Sequence, residues 1–240
     1  MFSHAFAAGA LLGTAMSPLV CVSAAERSPV AAAEDVVARV TPSAKGAVLF
    51  HLNPDQGNKI TISGIAGGIR VEASDVRRLV AGYGWYLKNI AKVHFSWNGN
   101  RITLPSPLPV PASPVTVESP WNIVFAYNYC TLSYTAAFWD WNRWQREIDF
   151  LALNGFTHAL VTAGLEKTWE DFLTGLGYPR EKALRFIPNP AFAAWWNMGN
   201  LEGHGGPLSQ QQINKMAQMG RRIVSRMEQL GICLLYTSDA

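Results

Sequence analysis

Cysteine is scarce and badly placed for cross-linking. Of three cysteines in 240 residues, Cys21 lies in a leader-like N-terminus and Cys233 in an anomalous tail, leaving Cys130 alone between them. That excludes an internal disulfide framework. The five histidines (His4, His51, His94, His158 and His204) are scattered, so no Cys/His pair has zinc spacing and neither metal nor cofactor is expected. Charge is thin as well, 15% of residues with a net +3. The basic residues form no dense run, so no nucleic-acid partner is expected. A clean membrane-spanning run is also missing, because Ala5 to Val22 is diluted by small and polar residues and Glu26 and Arg27 follow closely. Residues 1–25 contain no Lys, Arg, Asp or Glu, and both Val22-Ser23-Ala24 and Ser23-Ala24-Ala25 fit small-residue cleavage sites. The stretch reads as a secretory signal peptide, which places the protein in a secreted or periplasmic setting. Val20 stands before Cys21 where a lipoprotein needs a small residue, so no lipid anchor is expected.

The last eight residues, Cys233-Leu234-Leu235-Tyr236-Thr237-Ser238-Asp239-Ala240, look like a sequencing adapter translated in one frame. The natural protein is therefore expected to be represented only to about Ile232, with a short apolar strand and polar tail as the alternative. Aromatic residues, in contrast, are plentiful: nine Trp, seven Tyr and eleven Phe, with six of the Trp between Trp139 and Trp196. Such density lines sugar-binding clefts and fills bulky cores alike, and composition alone favours the core.

Along the chain, residues 26–105 read as a small α/β domain. Strands are expected over 47–52 and 59–63, with a glycine-rich bend at Gly64-Ile65-Ala66-Gly67-Gly68. That bend lacks the Lys-Ser/Thr of a P-loop and the spacing of a dinucleotide fingerprint, so it reads as a turn. A helix capped by Ser74 is expected to run to about Asn89 on the stripe Val76, Leu79, Val80, Tyr83 and Leu87. A hairpin follows, with strands at 93–97 and 101–104 joined at Asn98-Gly99. Residues 106–120 form a proline-rich, extended linker, since prolines at 105, 107, 109, 111, 114 and 120 exclude a helix or a central strand.

From residue 121 the rhythm becomes strand–helix–strand–helix. Strands are expected over 122–127 and 157–162, with helices from the Asp140 cap to Asn154, over 166–176, and from a Ser209/Gln212 capping box to Leu230. This order argues for parallel βα units, and residues 121–232 read as the start of a (β/α)₈ TIM barrel. Glu147 and Asp149 read as outer-helix charges, Asp140 as a cap, and Glu166 as an acid stabilising a helix N-terminus on the catalytic side. The long excursion over 164–208 places Trp195 and Asn200 on the same face as Asn128 and Cys130.

Several strings now stand together: Tyr127-Asn128-Tyr129-Cys130-Thr131, Phe138-Trp139-Asp140-Trp141, Arg146-Glu147-Ile148-Asp149, Met198-Gly199-Asn200-Leu201 and Gly205-Gly206-Pro207-Leu208, with Gly84-Trp85-Tyr86-Leu87-Lys88 upstream. Together they resemble the alpha-N-acetylglucosaminidases, family 89 of the glycoside hydrolases, over about residues 35–232. The resemblance implies a retaining exo-glycosidase that removes terminal α-linked N-acetylglucosamine from heparan-type or mucin-type glycan ends. It also implies two catalytic glutamates on later barrel strands, so no catalytic residue is expected in this stretch and the chain alone should be inactive. Substrate-binding roles carry over to Asn128, Cys130 and Trp195, while Met198 and Asn200 either contact the sugar or build the wall. Trp196 and Asn197 are assigned nothing, and Glu202 with His204 is left open. The competing readings are a non-catalytic carbohydrate-binding protein and another two-domain barrel glycosidase.

Overall fold

The computed structural model describes residues 28–202 and 206–235. The expected signal peptide, His204 and the end of the tail lie outside the described residues. The chain enters through α1 (Pro29–Val40), where the Ser28 hydroxyl accepts the Ala31 N–H at 3.2 Å and Pro29 opens the first turn. Its buried stripe, Ala32, Ala33, Val36, Val37 and Val40, has helical spacing, yet this helix is absent from the sequence expectations.

Strand β1 (Val48–Leu52) and β2 (Lys59–Ile65) match the expected positions. Next comes β3 (Gly68–Ala73), where only the end of a bend was expected. The bend itself exists at Gly67, with φ +80, and Gly68, which opens the strand, has to be glycine because a Cβ there would lie 1.8 Å from the Ala47 carbonyl oxygen. Asp75, not Ser74, caps α2 (Val76–Asn89), accepting the Arg78 N–H at 2.8 Å. The Ser74 hydroxyl donates instead to the Gly57 carbonyl. The hairpin β4 (His94–Ser96) and β5 (Gly99–Arg101) follows. Within the expected linker, Val115–Glu118 forms β6. It pairs antiparallel with β2 at the sheet edge, a position that a proline-rich segment can occupy. The sheet order is β1-β3-β2-β6, with β1 and β3 parallel. Ile60, Ile62, Ile69 and Val71 are buried on the sheet face that α2 covers, while α1 packs on β1.

The second unit has three parallel strands in the order β7 (Phe125–Ala126), β8 (His158–Leu160) and β9 (Cys233–Leu235). Ala159 faces Ala126 on one side and Leu234 on the other. Thus the first three residues of the anomalous tail sit in this sheet. Helix α3 (Tyr129–Tyr134) follows β7, and α4 (Trp141–Leu153) then leads to β8. The excursion after β8 holds α5 (Leu165–Gly175), α6 (Arg180–Phe186) and α7 (Ala193–Asn197). The capped helix α8 (Gln210–Gln229) returns to β9. The helices α3, α6 and α7 lie where the sequence reading leaves irregular chain. The order is that of parallel βα units from a barrel, as expected.

The two units meet along α2 and α4, so closely that a Cβ on Gly84 would lie 1.8 Å from the Leu153 carbonyl oxygen. Polar clamps reinforce the joint. Arg39 of α1 donates to both carboxylate oxygens of Asp149, at 2.8 and 2.7 Å. The Trp97 indole N–H donates to Glu147 at 3.0 Å, and Arg146 donates to the Ser96 carbonyl and to Asn100. Glu147 and Asp149 are therefore buried, not outer-helix charges: Trp97 and Tyr127 meet Glu147, while Arg39 of α1 and Arg226 of α8 meet Asp149.

Candidate functional site

In a parallel βα array the loops after the strands share one face, and the excursions after β7 and β8 build it here. Asn128 follows β7 and caps α3: its Oδ1 accepts the Thr131 N–H at 2.9 Å and the Thr131 hydroxyl at 3.0 Å. The carbonyl of Asn128 is thus spent on the helix, while its exposed side-chain amide has no acceptor among the described residues. Tyr127, just before it, has φ +74, a left-handed conformation that costs a non-glycine residue about 1–3 kcal/mol. The Tyr127 hydroxyl donates to buried Glu147, which Arg143 also holds at 2.8 Å. Burial and the Glu147 charge raise the phenol pKa well above its ordinary value, so the hydroxyl stays a donor. The Asn128 approach is consequently anchored to α4 and, through Trp97, to the first unit.

Cys130 is a half-buried free thiol in the first turn of α3. Tyr134, four residues on, shares its helix face and is 77% exposed. Its ring meets Trp195 edge-on, with centroids 4.6 Å apart and planes at 85°. Ser133 fastens the two segments: its hydroxyl donates to the Pro190 carbonyl and accepts the Ala194 N–H, both at 3.0 Å. Half-buried Trp195 is thereby presented beside α3, and exposed Met198 follows it. Asn200 donates its backbone N–H to the Trp195 carbonyl at 2.8 Å. Trp196 points the other way, packed between Trp169 and Phe186 at 4.7 and 5.2 Å, and is core.

The structure therefore docks the segment carrying Trp195, Met198 and Asn200 onto the short helix that begins with Asn128 and Cys130. Tyr134 is the residue that sequence reasoning missed. Its signal was the four-residue step from Cys130, legible only once 129–134 is known to be helical.

The buried acids divide into two kinds. Glu147 is held by Arg143, Asp149 by Arg39, and Glu170 by Arg180 at 3.1 Å and Lys167 at 3.5 Å. Glu166, at the start of α5, accepts the Gly164 N–H at 3.1 Å and has no cation partner among the described residues. Burial pushes its carboxyl up to about 7, against the pull of the Gly164 and Glu166 main-chain N–H groups. No group of three or more His, Cys, Asp or Glu among the described residues could hold a metal ion. No helix among them is long and apolar enough to cross a membrane.

Two family models match the chain. The alpha-N-acetylglucosaminidase N-terminal domain matches residues 31–110, and the tim-barrel domain of the same family matches residues 124–238. The alpha-N-acetylglucosaminidase of Homo sapiens is 36% identical over 169 residues, which are 70% of this chain and 23% of that protein. Among solved structures, a family 89 glycoside hydrolase from Clostridium perfringens in complex with 2-acetamido-1,2-dideoxynojirmycin superposes with a TM-score of 0.82 at 29% identity. A form of the Clostridium perfringens enzyme with two glutamates replaced by glutamine, in complex with its substrate GlcNAc-alpha-1,4-galactose, superposes equally well at 28% identity. Each match covers 86% of this chain and 24% of the solved chain, so this chain spans about a quarter of the length of these relatives.

Proposed function

This chain belongs to the alpha-N-acetylglucosaminidase family, and from that membership we propose that it carries the sugar-recognition face of a retaining exo-glycosidase. The substrate is terminal, α-linked N-acetylglucosamine on heparan-type or mucin-type glycans, in a secreted or periplasmic setting. The observation that carries this reading is the docking of α7 on α3, which sets Trp195 against Tyr134 on the face that Cys130 shares. In this reading the Asn128 amide donates to a sugar hydroxyl, Cys130 leaves room for close approach of the ring, and Trp195 supplies an apolar platform. Met198 and Asn200 close the wall.

Retention of configuration needs two carboxyl groups about 5–5.5 Å apart, one as acid/base and one as nucleophile. Among the described residues Glu147, Asp149 and Glu170 are already committed to cations, which leaves Glu166 as the one buried acid without a cation, a single carboxyl where two are needed. From the family resemblance we assign the catalytic pair to later barrel strands, after residue 232, and the 240-residue chain by itself is expected to bind without turnover.

Titration with 2-acetamido-1,2-dideoxynojirmycin, followed by tryptophan fluorescence, tests the site. Trp195→Ala should weaken binding by about 1–3 kcal/mol, the worth of an aromatic platform by analogy with base stacking, and leave the melting temperature nearly unchanged. Unaltered affinity, or a collapsed melting temperature with normal affinity in the folded fraction, overturns the role of Trp195. Hydrolysis of an aryl α-N-acetylglucosaminide above a vector control overturns the placement of the catalytic pair elsewhere.

A further inference from the structure

A half-open chamber of about 180 Å³ is bordered by α3, the start of α5 and the first half of α8. It opens among the excursions that follow β7 and β8, but none of Asn128, Cys130, Trp195, Met198 and Asn200 lines it. Its walls are largely apolar, with Leu132, Trp144, Met216 and Met219 among them. Glu166 lines this chamber and is only 6% exposed. Among the described residues its hydrogen-bond donors are main-chain N–H groups alone, whereas Glu147, Asp149 and Glu170 each have a cation. The Ser133 hydroxyl also borders the chamber, but it is already used between Pro190 and Ala194. Lys215 stands at the rim, exposed and without an ion pair among the described residues.

We infer that this chamber is a binding site for a small molecule carrying a protonated primary amine on an apolar body. A buried carboxylate without a cation is unfavourable, and an ammonium entering from outside relieves it through short, charge-assisted hydrogen bonds. The apolar walls then cover the remainder of the molecule. The volume corresponds to about six water-sized groups at ~30 Å³ each, which sets the size of the occupant. An anion is rejected by Glu166, and a neutral alcohol gains only the apolar contacts. Lys215 is the internal competitor, since its flexible stem can bring an ammonium towards the same acid.

Ligand-observed NMR on the 240-residue chain at pH 8, with n-pentylamine, 1-pentanol and pentanoate as probes, tests this inference. Pentylamine should bind at least tenfold more tightly than 1-pentanol, with pentanoate weakest. Glu166→Gln keeps an acceptor for the Gly164 N–H and should abolish the amine preference while leaving 1-pentanol within about twofold. Ala136→Trp should fill the chamber and remove all three probes, and Lys215→Met should tighten the amine several-fold. Intermolecular NOEs from pentylamine to the Trp144 indole give a readout in the parent chain that needs no variant. Equal affinity for amine and carboxylate, an amine preference that survives Glu166→Gln, or absence of the Trp144 NOEs overturns the inference.

Discussion

The two sheets of this chain solve the burial problem differently. The first has four strands, and its apolar face, with Ile62, Ile69, Val71 and Phe50, is covered by α1 and α2 from the same unit. The second has three parallel strands of two or three residues, and Phe125 and Leu235 at its two edges are 46% and 40% exposed. Parallel sheets are normally covered on both faces. One core runs through both units, but the first covers its sheet with its own helices, while the second takes part of its support from the first through α4. The docked helices α3 and α7 rest on that supported unit, so the candidate site inherits its stability from the joint.

The strongest way to break this contrast is Asp149→Asn. It removes the carboxylate that holds Arg39 and lies 3.5 Å from Arg226, and Arg226, only 6% exposed, would lose its anion. The loss should be about 3–5 kcal/mol, the usual result of stripping one partner from a buried pair. Hydrogen exchange should report it in α4 and α8 well before β1–β3, whereas equal loss in both units would end the asymmetry. Gly84→Ala is next, at about 3 kcal/mol. The new methyl collides with the Leu153 carbonyl, although alanine is the better helix former by about 1 kcal/mol. Urea unfolding should show a destabilised second unit, and a neutral or stabilising result would mean that the α2–α4 contact is loose.

Glu166→Gln sharpens the comparison through pH. The folded carboxyl sits at about 7 against an unfolded value of 4.5, so its protonated form is favoured by folding. The parent should gain stability from this group as pH falls from about 8 towards 4.5 and lose it as pH rises through 7. The glutamine variant should be more stable than the parent by about 3 kcal/mol at pH 8, with the gap closing near pH 4.5. Thermal melts across that range check it, and a constant gap would show that Glu166 does not titrate there. Smallest is Tyr127→Phe, at about 1 kcal/mol, because Glu147 keeps Arg143 and Trp97. Its expected signature is faster exchange of the Asn128 and Tyr129 amides, as the left-handed turn loses its tether, with β1–β3 unaffected.

The failures of the sequence reading have physical causes. Strand β3 carries a plain alternation of Ile69, Val71 and Ala73, but Gly67-Gly68 drew it into the preceding bend. Helix α1 had both a cap and a buried stripe, and lies in the stretch next to the leader where no element was read. Helices α3, α6 and α7, of six, seven and five residues, are too short to show a period. Such helices are marginal in isolation and exist here because they dock.

Local pattern determined the long elements: α2, α4 and α8 with their apolar stripes, the Asp140 cap, the Ser209/Gln212 capping box, and a strand–helix order that admits parallel βα units. It also placed Asn128 and Trp195 after successive strands. Only the tertiary structure decided that Glu147 and Asp149 would be buried, because a helix by itself cannot show what will pack against its polar residues. Only it joined Tyr134 to Trp195 and left Glu166 without a cation among the described residues, since contacts between segments some 60 residues apart, and the absence of one, are settled by packing rather than by neighbouring residues.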